Sequence, residues 1–348
     1  MFAKIFNDGF GNLRSKVAGI GMVLVALNAL AWIWALVAFR HHPLLMGTAL
    51  LAYSFGLRHA VDADHIAAID NVTRKLMQEG KRPVAVGLFF SLGHSTVVVL
   101  LSLFVAATTS ALQDRFEDMK AFGGLIGTSV SAFFLFAIAA ANAAILAGTW
   151  RSFRDVKNGK RPGEDSQDVL ALGGGLMARI FRGLFRLIGR SWHMYGLGLL
   201  FGLGFETATE VGLLGVSATG ASSGLSPWVI MIFPALFSAG MALIDTADGV
   251  LMLGAYGWAY VKPVRKLYYN LTITSLSVLV AVVVGGIETL GLVADQFKLK
   301  GLFWEEVGVI NDNFGLLGYG IIGLFVLGWV ASLVIYRIKR YDEIEATI

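Results

Sequence analysis

The sequence predicts an all-α polytopic membrane protein with eight transmembrane helices, in which helices 2–3 and 5–6 form an inverted repeat. Three observations predict it: the composition, the alternation of basic loops, and a pair of motifs that recurs three helices later. Of 348 residues, 56% are hydrophobic and 15% charged, where ordinary soluble domains are about a quarter charged. Mean hydropathy is +0.69. Eight apolar runs lie near 18–39, 44–70, 84–107, 124–149, 194–216, 227–254, 269–294 and 315–337. Each is long enough to cross a ~30 Å hydrocarbon layer, which takes about 20 helical residues. A large soluble helical core would need a polar face along its helices, and most of these runs have none.

The first run is too long for the apolar region of a signal peptide and lacks a clear small-residue cleavage site, so it reads as a retained helix. The chain has no cysteine, which excludes disulfides and thiolate chemistry without identifying a compartment. Basic residues set the orientation. Of 28 Lys and Arg, 22 fall on alternate segments: Lys4 to Lys16, Arg74 to Arg82, Arg151 to Arg190, Lys262 to Lys266, and Arg337 to Arg340. Five fall on the intervening segments (Arg40, Arg115, Lys120, Lys298, Lys300), and Arg58 lies inside a helix. That split supports the count of eight and predicts a multi-pass membrane protein with both termini cytoplasmic.

The chain from 1 to 348 reads as a single transmembrane domain, and its one sizeable hydrophilic segment is the cytoplasmic loop 150–193. The first part, "RDVKNGKRPGEDSQD", has linker composition. The second, "LMARIFRGLFRLIGR", sets Arg179, Arg182, Arg186 and Arg190 on one helical face and Leu and Phe on the other. That predicts a basic amphipathic helix in the inner headgroup plane, with the lipid bilayer rather than nucleic acid as its partner.

Two motifs recur. "FGLRHAVDADH" in helix 2 aligns with "FGLGFETATEV" in helix 5, placing Asp64 over Glu210; "FSLGHS" in helix 3 aligns with "FSAGMA" in helix 6, placing His94 over Met241. Phe55 to Phe90 spans 35 residues and Phe201 to Phe237 spans 36. An offset of three helices, an odd number, inverts the second unit across the membrane. Secondary transporters build two alternating states around a midplane site in this way.

The same four helices carry nearly all the charge at bilayer depth: Arg58, His59, Asp62, Asp64, His65 and Asp70 in helix 2, His94 in helix 3, Glu206 and Glu210 in helix 5, Asp245 and Asp248 in helix 6. Each such charge costs about 2.5–3.5 kcal/mol on insertion scales. The carboxylate excess over a single Arg predicts that a bound cation completes the site. Imidazole beside carboxylate suits Ni2+, Co2+, Zn2+ or Fe2+, whereas carboxylates alone would suit Mg2+ or Ca2+. On a regular helix at about 100° per residue, His59, Asp62 and His65 share a 120° arc and Asp64 points away. Either Asp64 has another partner or the helix unwinds near Gly56.

The candidate metal residues are therefore His59, Asp62, Asp64, His65, His94, Glu206, Glu210, Asp245 and Asp248. Against this stands ordinary packing. His59 and His65 could be hydrogen-bonded core histidines, but the adjacent carboxylates favour metal; His94 reads as ligand or relay. Glu206, Glu210, Asp245 and Asp248 outnumber what one ion can use, so some act around the ligands or as gates. Arg58 reads as counter-ion to Asp62 four residues on. Asp70 and Glu288 read as interfacial, as do His41, His42 and His193. Gly, Ser and Thr in "LGHST" and "FETATE" permit close helix approach.

On these residues the sequence resembles the nickel/cobalt transporter family, eight-helix permeases whose helix 2 signature of His, four residues, Asp, His is met by His59, Asp64 and His65 in "HAVDADH". "LGHSTVV", "LGFETATE" and "GMALIDTADG" resemble the family motifs of helices 3, 5 and 6, in order, across essentially the whole chain. Glu206 stands where the family usually has Asp, a difference of one methylene. The resemblance implies uptake of Ni2+, Co2+ or both as transported substrate, no cofactor, and delivery to metalloenzymes. Related exporters often carry a His-rich loop; the loop here has none before His193, which leans toward import.

No GxxxxGK[ST] motif is present, so the chain itself is not expected to hydrolyse ATP, and no ATPase subunit is required. Two charges moving inward gain about 4.6 kcal/mol per 100 mV, over a thousandfold accumulation. Histidine binds metal when neutral, so uptake should weaken as external pH falls through about 6.5. An intramembrane metalloenzyme is the rival of a different class; no HExxH is present, and His59 and His65 are six residues apart rather than four. An anion or organic-solute transporter conflicts with the acidic excess.

Overall fold

A computed structural model describes residues 8–9, 12–107, 113–157, 188–203, 208–222, 224–259 and 263–338. Those residues are all-helical, with no strand among them. The first run forms α1 (Leu13–Phe39), capped at its start by Asn12, whose side chain accepts from the Arg14 amide at 3.1 Å. The second run is not one helix. It divides into α2 (Pro43–His59) and α3 (Ala63–Gln78), bent by 52°. Then follow α4 (Val86–Ala107), the 45-residue α5 (Gln113–Lys157), α6 (Met194–Phe201) and α7 (Ala208–Ser222). The chain continues through the short α8 (Pro227–Ile230) into α9 (Ile232–Ala259), then α10 (Pro263–Gln296), α11 (Leu302–Asp312) and α12 (Phe314–Ile338).

Five of these helices are individually long and apolar enough to cross a membrane, and a sixth span results if the bent α2–α3 pair is counted as one. Their burial places them. In the most apolar stretch of each, α4 and α9 bury 50% and 56% of their residues, whereas α1 and α12 bury 22%. Met22, Val25 and Val37 on α1 and Leu316 and Leu327 on α12 are exposed apolar side chains. Such a helix, apolar all round but buried on one side only, is suited to hydrocarbon as its outer solvent. α4 and α9 therefore form the centre, packed against each other, with α2 against α9, α6 against α4, and α10 along α5.

Glycine makes the central contacts close. A Cβ at Gly56 would stand 2.0 Å from the Phe237 carbonyl oxygen, and one at Gly87 1.9 Å from that of Asp245. Only a residue without a side chain lets these backbones meet, the small-residue logic of membrane helix packing. The α2–α3 break is fixed similarly. Gly318 of α12 abuts the Val61 carbonyl, from which a Cβ would be 1.6 Å. Turn bonds from Val61 N–H to Arg58 O (3.0 Å) and Asp62 N–H to His59 O (2.9 Å) close α2, and Asp62 in extended conformation starts α3.

Several expectations are corrected. The interruption falls at 60–62 rather than near Gly56, which stays helical and serves packing. Asp70 and Glu288 are not interfacial: Asp70 is wholly buried and accepts hydrogen bonds from Tyr256 and Ser277, and Glu288 is buried and accepts from Ser131 at 2.8 Å. Their partners come from other helices, which local position along a run does not disclose. Arg74 and Lys75, counted with a basic loop, belong to α3, and Arg74 is fully buried. Segment 302–312, read as part of an outer loop, is helical. The amphipathic stretch of the 150–193 loop lies outside the described residues apart from its last three, 188–190.

Candidate metal centre

The break between α2 and α3 brings His59, the last residue of one helix, back over His65 near the start of the next. Their ring centroids are 4.6 Å apart. His94 of α4 completes the cluster, 4.8 Å from His59 and 4.9 Å from His65. One ring nitrogen from each lies within 4.8 Å of the others, and all three residues are buried. A 120° arc on a regular helix would have left the imidazoles splayed. The turn folds them together.

Carboxylates set the tautomers. An ionised carboxylate only accepts hydrogen bonds, so His59 Nδ1–H donates to Asp62 Oδ2 (2.8 Å) and His65 Nδ1–H to Asp245 Oδ1 (3.1 Å). Each bond leaves the Nε2 lone pair facing the cluster, the arrangement by which outer carboxylates orient metal-binding histidines. His65 Nε2 is buried and has no hydrogen-bond partner among the described residues. His94 Nε2 meets Glu210 Oε1 at 2.7 Å and His59 Nε2 at 3.1 Å, while Glu210 Oε1 is 3.6 Å from His59 Nε2. Two acceptors, Glu210 Oε1 and His59 Nε2, thus share one proton, the one on His94 Nε2. A divalent cation in its place would serve all three. Glu210 itself lies in the first turn of α7, where the helix dipole favours a carboxylate.

Residues 45–335 match the family described as "High-affinity nickel-transport protein". The chain belongs to this family. It is 59% identical over 345 residues to a high-affinity nickel transport protein of Cupriavidus necator, covering 99% of this chain and 98% of that one. The nickel transporter NicT of Mycobacterium tuberculosis is 43% identical, over 92% of this chain and 88% of its own length. A cobalt transport protein, NhlF, of Rhodococcus rhodochrous is 42% identical over 85% and 84% of the two chains. No solved structure matches. The family and these relatives are metal-transport proteins, not enzymes.

Within this nickel-transport chain, six of the nine residues singled out from sequence meet at one place: His59, His65 and His94 as a cluster, with Asp62, Glu210 and Asp245 bonded to them. Asp62 hydrogen-bonds to His59, and the exposed Arg58 acts on it only through its charge. Asp64, in the first turn of α3, and Asp248, one turn beyond Asp245, are half-buried, each with one buried oxygen unpaired among the described residues. Glu206 lies outside the described residues. His41 and His42 are exposed, and His193 Nδ1 accepts from the Gly189 amide at 3.0 Å, away from the centre. The sequence reading missed the polar stretch that follows on α3, where Asn71, Thr73 and Arg74 are all fully buried. Its signal was a run too polar for lipid contact, "DNVTRK", that continues a membrane helix without a break.

Proposed function

We propose that the chain is a secondary transporter that takes up Ni2+, Co2+ or both across a bacterial-type cytoplasmic membrane, with the metal held near the midplane by His59, His65 and His94. The observation that carries this reading is the trio of buried imidazoles within 4.8 Å, two of them oriented by carboxylates through Nδ1. Imidazole suits both metals, and no thiolate is present to favour Cu(I). Asp62, Glu210 and Asp245 orient the ligands and balance charge; Asp64 and Asp248 line the way in and out. The membrane potential supplies the driving force, about 4.6 kcal/mol per 100 mV for a dication moving inward, with no ATPase partner.

The frame for this is eight spans in one transporter domain, both termini cytoplasmic, and the basic stretch of the 150–193 loop seated on the inner lipid surface. Helix segments occupy each of the eight apolar runs, which supports the count. Three features support the inverted repeat. Helix 2 is interrupted after His59, and helix 5 likewise ends its first helical segment at Phe201, followed by a turn at 202–203. The aligned carboxylates Asp64 and Glu210 both fall in the first turn of the next helix. And α2 packs on α9 as α6 packs on α4, each through glycine.

The test is flux. Purified protein in liposomes under an inside-negative potential is expected to accumulate radioactive nickel and cobalt in mutual competition, and His59→Ala to reduce both to the level of empty vesicles. Full flux through His59→Ala, or metal-dependent hydrolysis without flux, would overturn the reading.

A further inference from the structure

The cytoplasmic half of α3 carries a buried polar group that the histidine centre does not use. On α9, Asp248 follows Asp245 by three residues, on the same face and about 4.5 Å further along the axis. On α3, Asp70 follows His65 by five residues, about 7.5 Å along. In the proposed orientation both helices run toward the cytoplasm, so both carboxylates lie inward of the cluster. Asp248 is within electrostatic reach of Asp245 and Asp70 alike. Thr73 of α3 faces α9 beside it: its hydroxyl is 4.0 Å from where a Gly249 Cβ would stand. Thr73 is fully buried, and neither its Oγ1 nor Asp248 Oδ2 has a hydrogen-bond partner among the described residues. A buried hydroxyl and a buried carboxylate oxygen, both left unpaired on facing helices, are costly and mark a place where a ligand is accepted.

A cation is already stationed behind them. Arg74 is fully buried; its Nη2 donates to Asn71 Oδ1 at 2.8 Å, and Asn142 holds the same oxygen at 2.7 Å. Arg74 Nε and Nη1 have no hydrogen-bond partner among the described residues. One turn before it, Asp70 is kept in place by the hydroxyls of Tyr256 and Ser277.

We propose that Asp248, Asp70 and Thr73 form a second cation station, made of oxygen alone, on the cytoplasmic side of the histidine cluster, and that Arg74 keeps it weak. It rests on the uptake reading above and names the step by which the metal leaves. Oxygen donors hold Ni2+ and Co2+ less firmly than imidazole, and a fixed guanidinium beside them lowers the affinity further. The ion therefore passes from a selective site to a loose one before reaching the cytoplasm.

The experiment pairs nickel flux in proteoliposomes with calorimetric nickel binding to the full chain in nanodiscs. Asp248→Asn should lower flux about tenfold or more, one decade being about 1.4 kcal/mol on a barrier, while binding stays within about twofold of wild type. Arg74→Gln should do the reverse at the second station, revealing an additional binding event while slowing turnover. Asp248→Asn that loses binding as fully as His59→Ala would make Asp248 part of the first site and overturn the proposal. So would wild-type flux in both Asp248→Asn and Asp70→Asn. The His59→Ala control separates failures: if that variant keeps binding and flux, the histidine site itself is wrong.

Discussion

Segment 43–107 and segment 208–259 meet at the proposed metal centre with different chemistry. The first contributes all three clustered imidazoles, His59, His65 and His94. The second contributes Glu210 and Asp245, which bind His94 and His65 across the helix interface. His59 alone finds its orienting acid, Asp62, within its own segment. A centre divided in this way makes two of its three ligands depend on the relative position of the segments. If one segment rocks against the other, the His65–Asp245 bond opens and His65 loses its imposed tautomer, while Glu210 parts from His94 Nε2 and leaves the cluster, so metal affinity falls as the site changes access.

The difference between cross-segment and local acids can be broken by substitution. Asp245→Asn keeps the size of the side chain, but its amide can present an N–H to His65 Nδ1, so the tautomer that leaves Nε2 free is no longer enforced. Loss of such an orienting carboxylate typically costs about 10–100-fold in metal affinity, and nickel calorimetry on the folded variant should fall in that range. Asp62→Asn should cost less, under about tenfold on the same scale. The α2–α3 turn still places His59, and its Nε2 remains 3.6 Å from Glu210. Equal losses would mean that both acids act as simple charges and that the segment boundary is irrelevant.

The residues that the structure brings together around His59, His65 and His94 drew attention in the sequence because charge at bilayer depth is so unfavourable that each one marks itself. Their geometry did not. At the α2–α3 break, Gly318, more than 250 positions along the chain, brings α12 against the Val61 carbonyl. No local signal near residue 60 announces this. Asp70 looked like an interfacial residue because its position within the second run places it at the end; Tyr256 of α9 and Ser277 of α10 make it a buried one. The apolar runs predicted where helices lie, yet α3 runs on through Asp70, Asn71, Thr73, Arg74 and Lys75. Those polar residues are buried against protein, where hydropathy ceases to be informative. Segment 302–312 has the mixed composition of a loop, but Asn311 packs on Gly291 of α10 and Leu302 and Phe303 remain exposed, as an interfacial helix would leave them.

The smallest expected effects concern how closely the two halves pack alike. In the motif alignment Gly56 corresponds to Gly202, but their surroundings differ. A Cβ at Gly56 would be 2.0 Å from the Phe237 carbonyl oxygen, whereas at Gly202 it would be 3.0 Å from that of His94. In the α6–α4 pair the tight contact falls one turn earlier, at Gly198, 1.9 Å from the Phe90 carbonyl oxygen. Gly56→Ala and Gly198→Ala therefore each force two backbones apart and should lower stability by about 1–3 kcal/mol, the usual cost of overpacking. Gly202→Ala needs a shift of only a few tenths of an ångström and should cost less. Gly47→Ala, with nothing within 4 Å of the new methyl, should be neutral or stabilising by up to about 1 kcal/mol through helix propensity. Thermal unfolding of the four variants in one detergent ranks them. If Gly202→Ala proves as damaging as Gly56→Ala, the second half moves through the tighter packing that strict symmetry demands; if the order holds, the halves are related in topology but offset by a turn in contact.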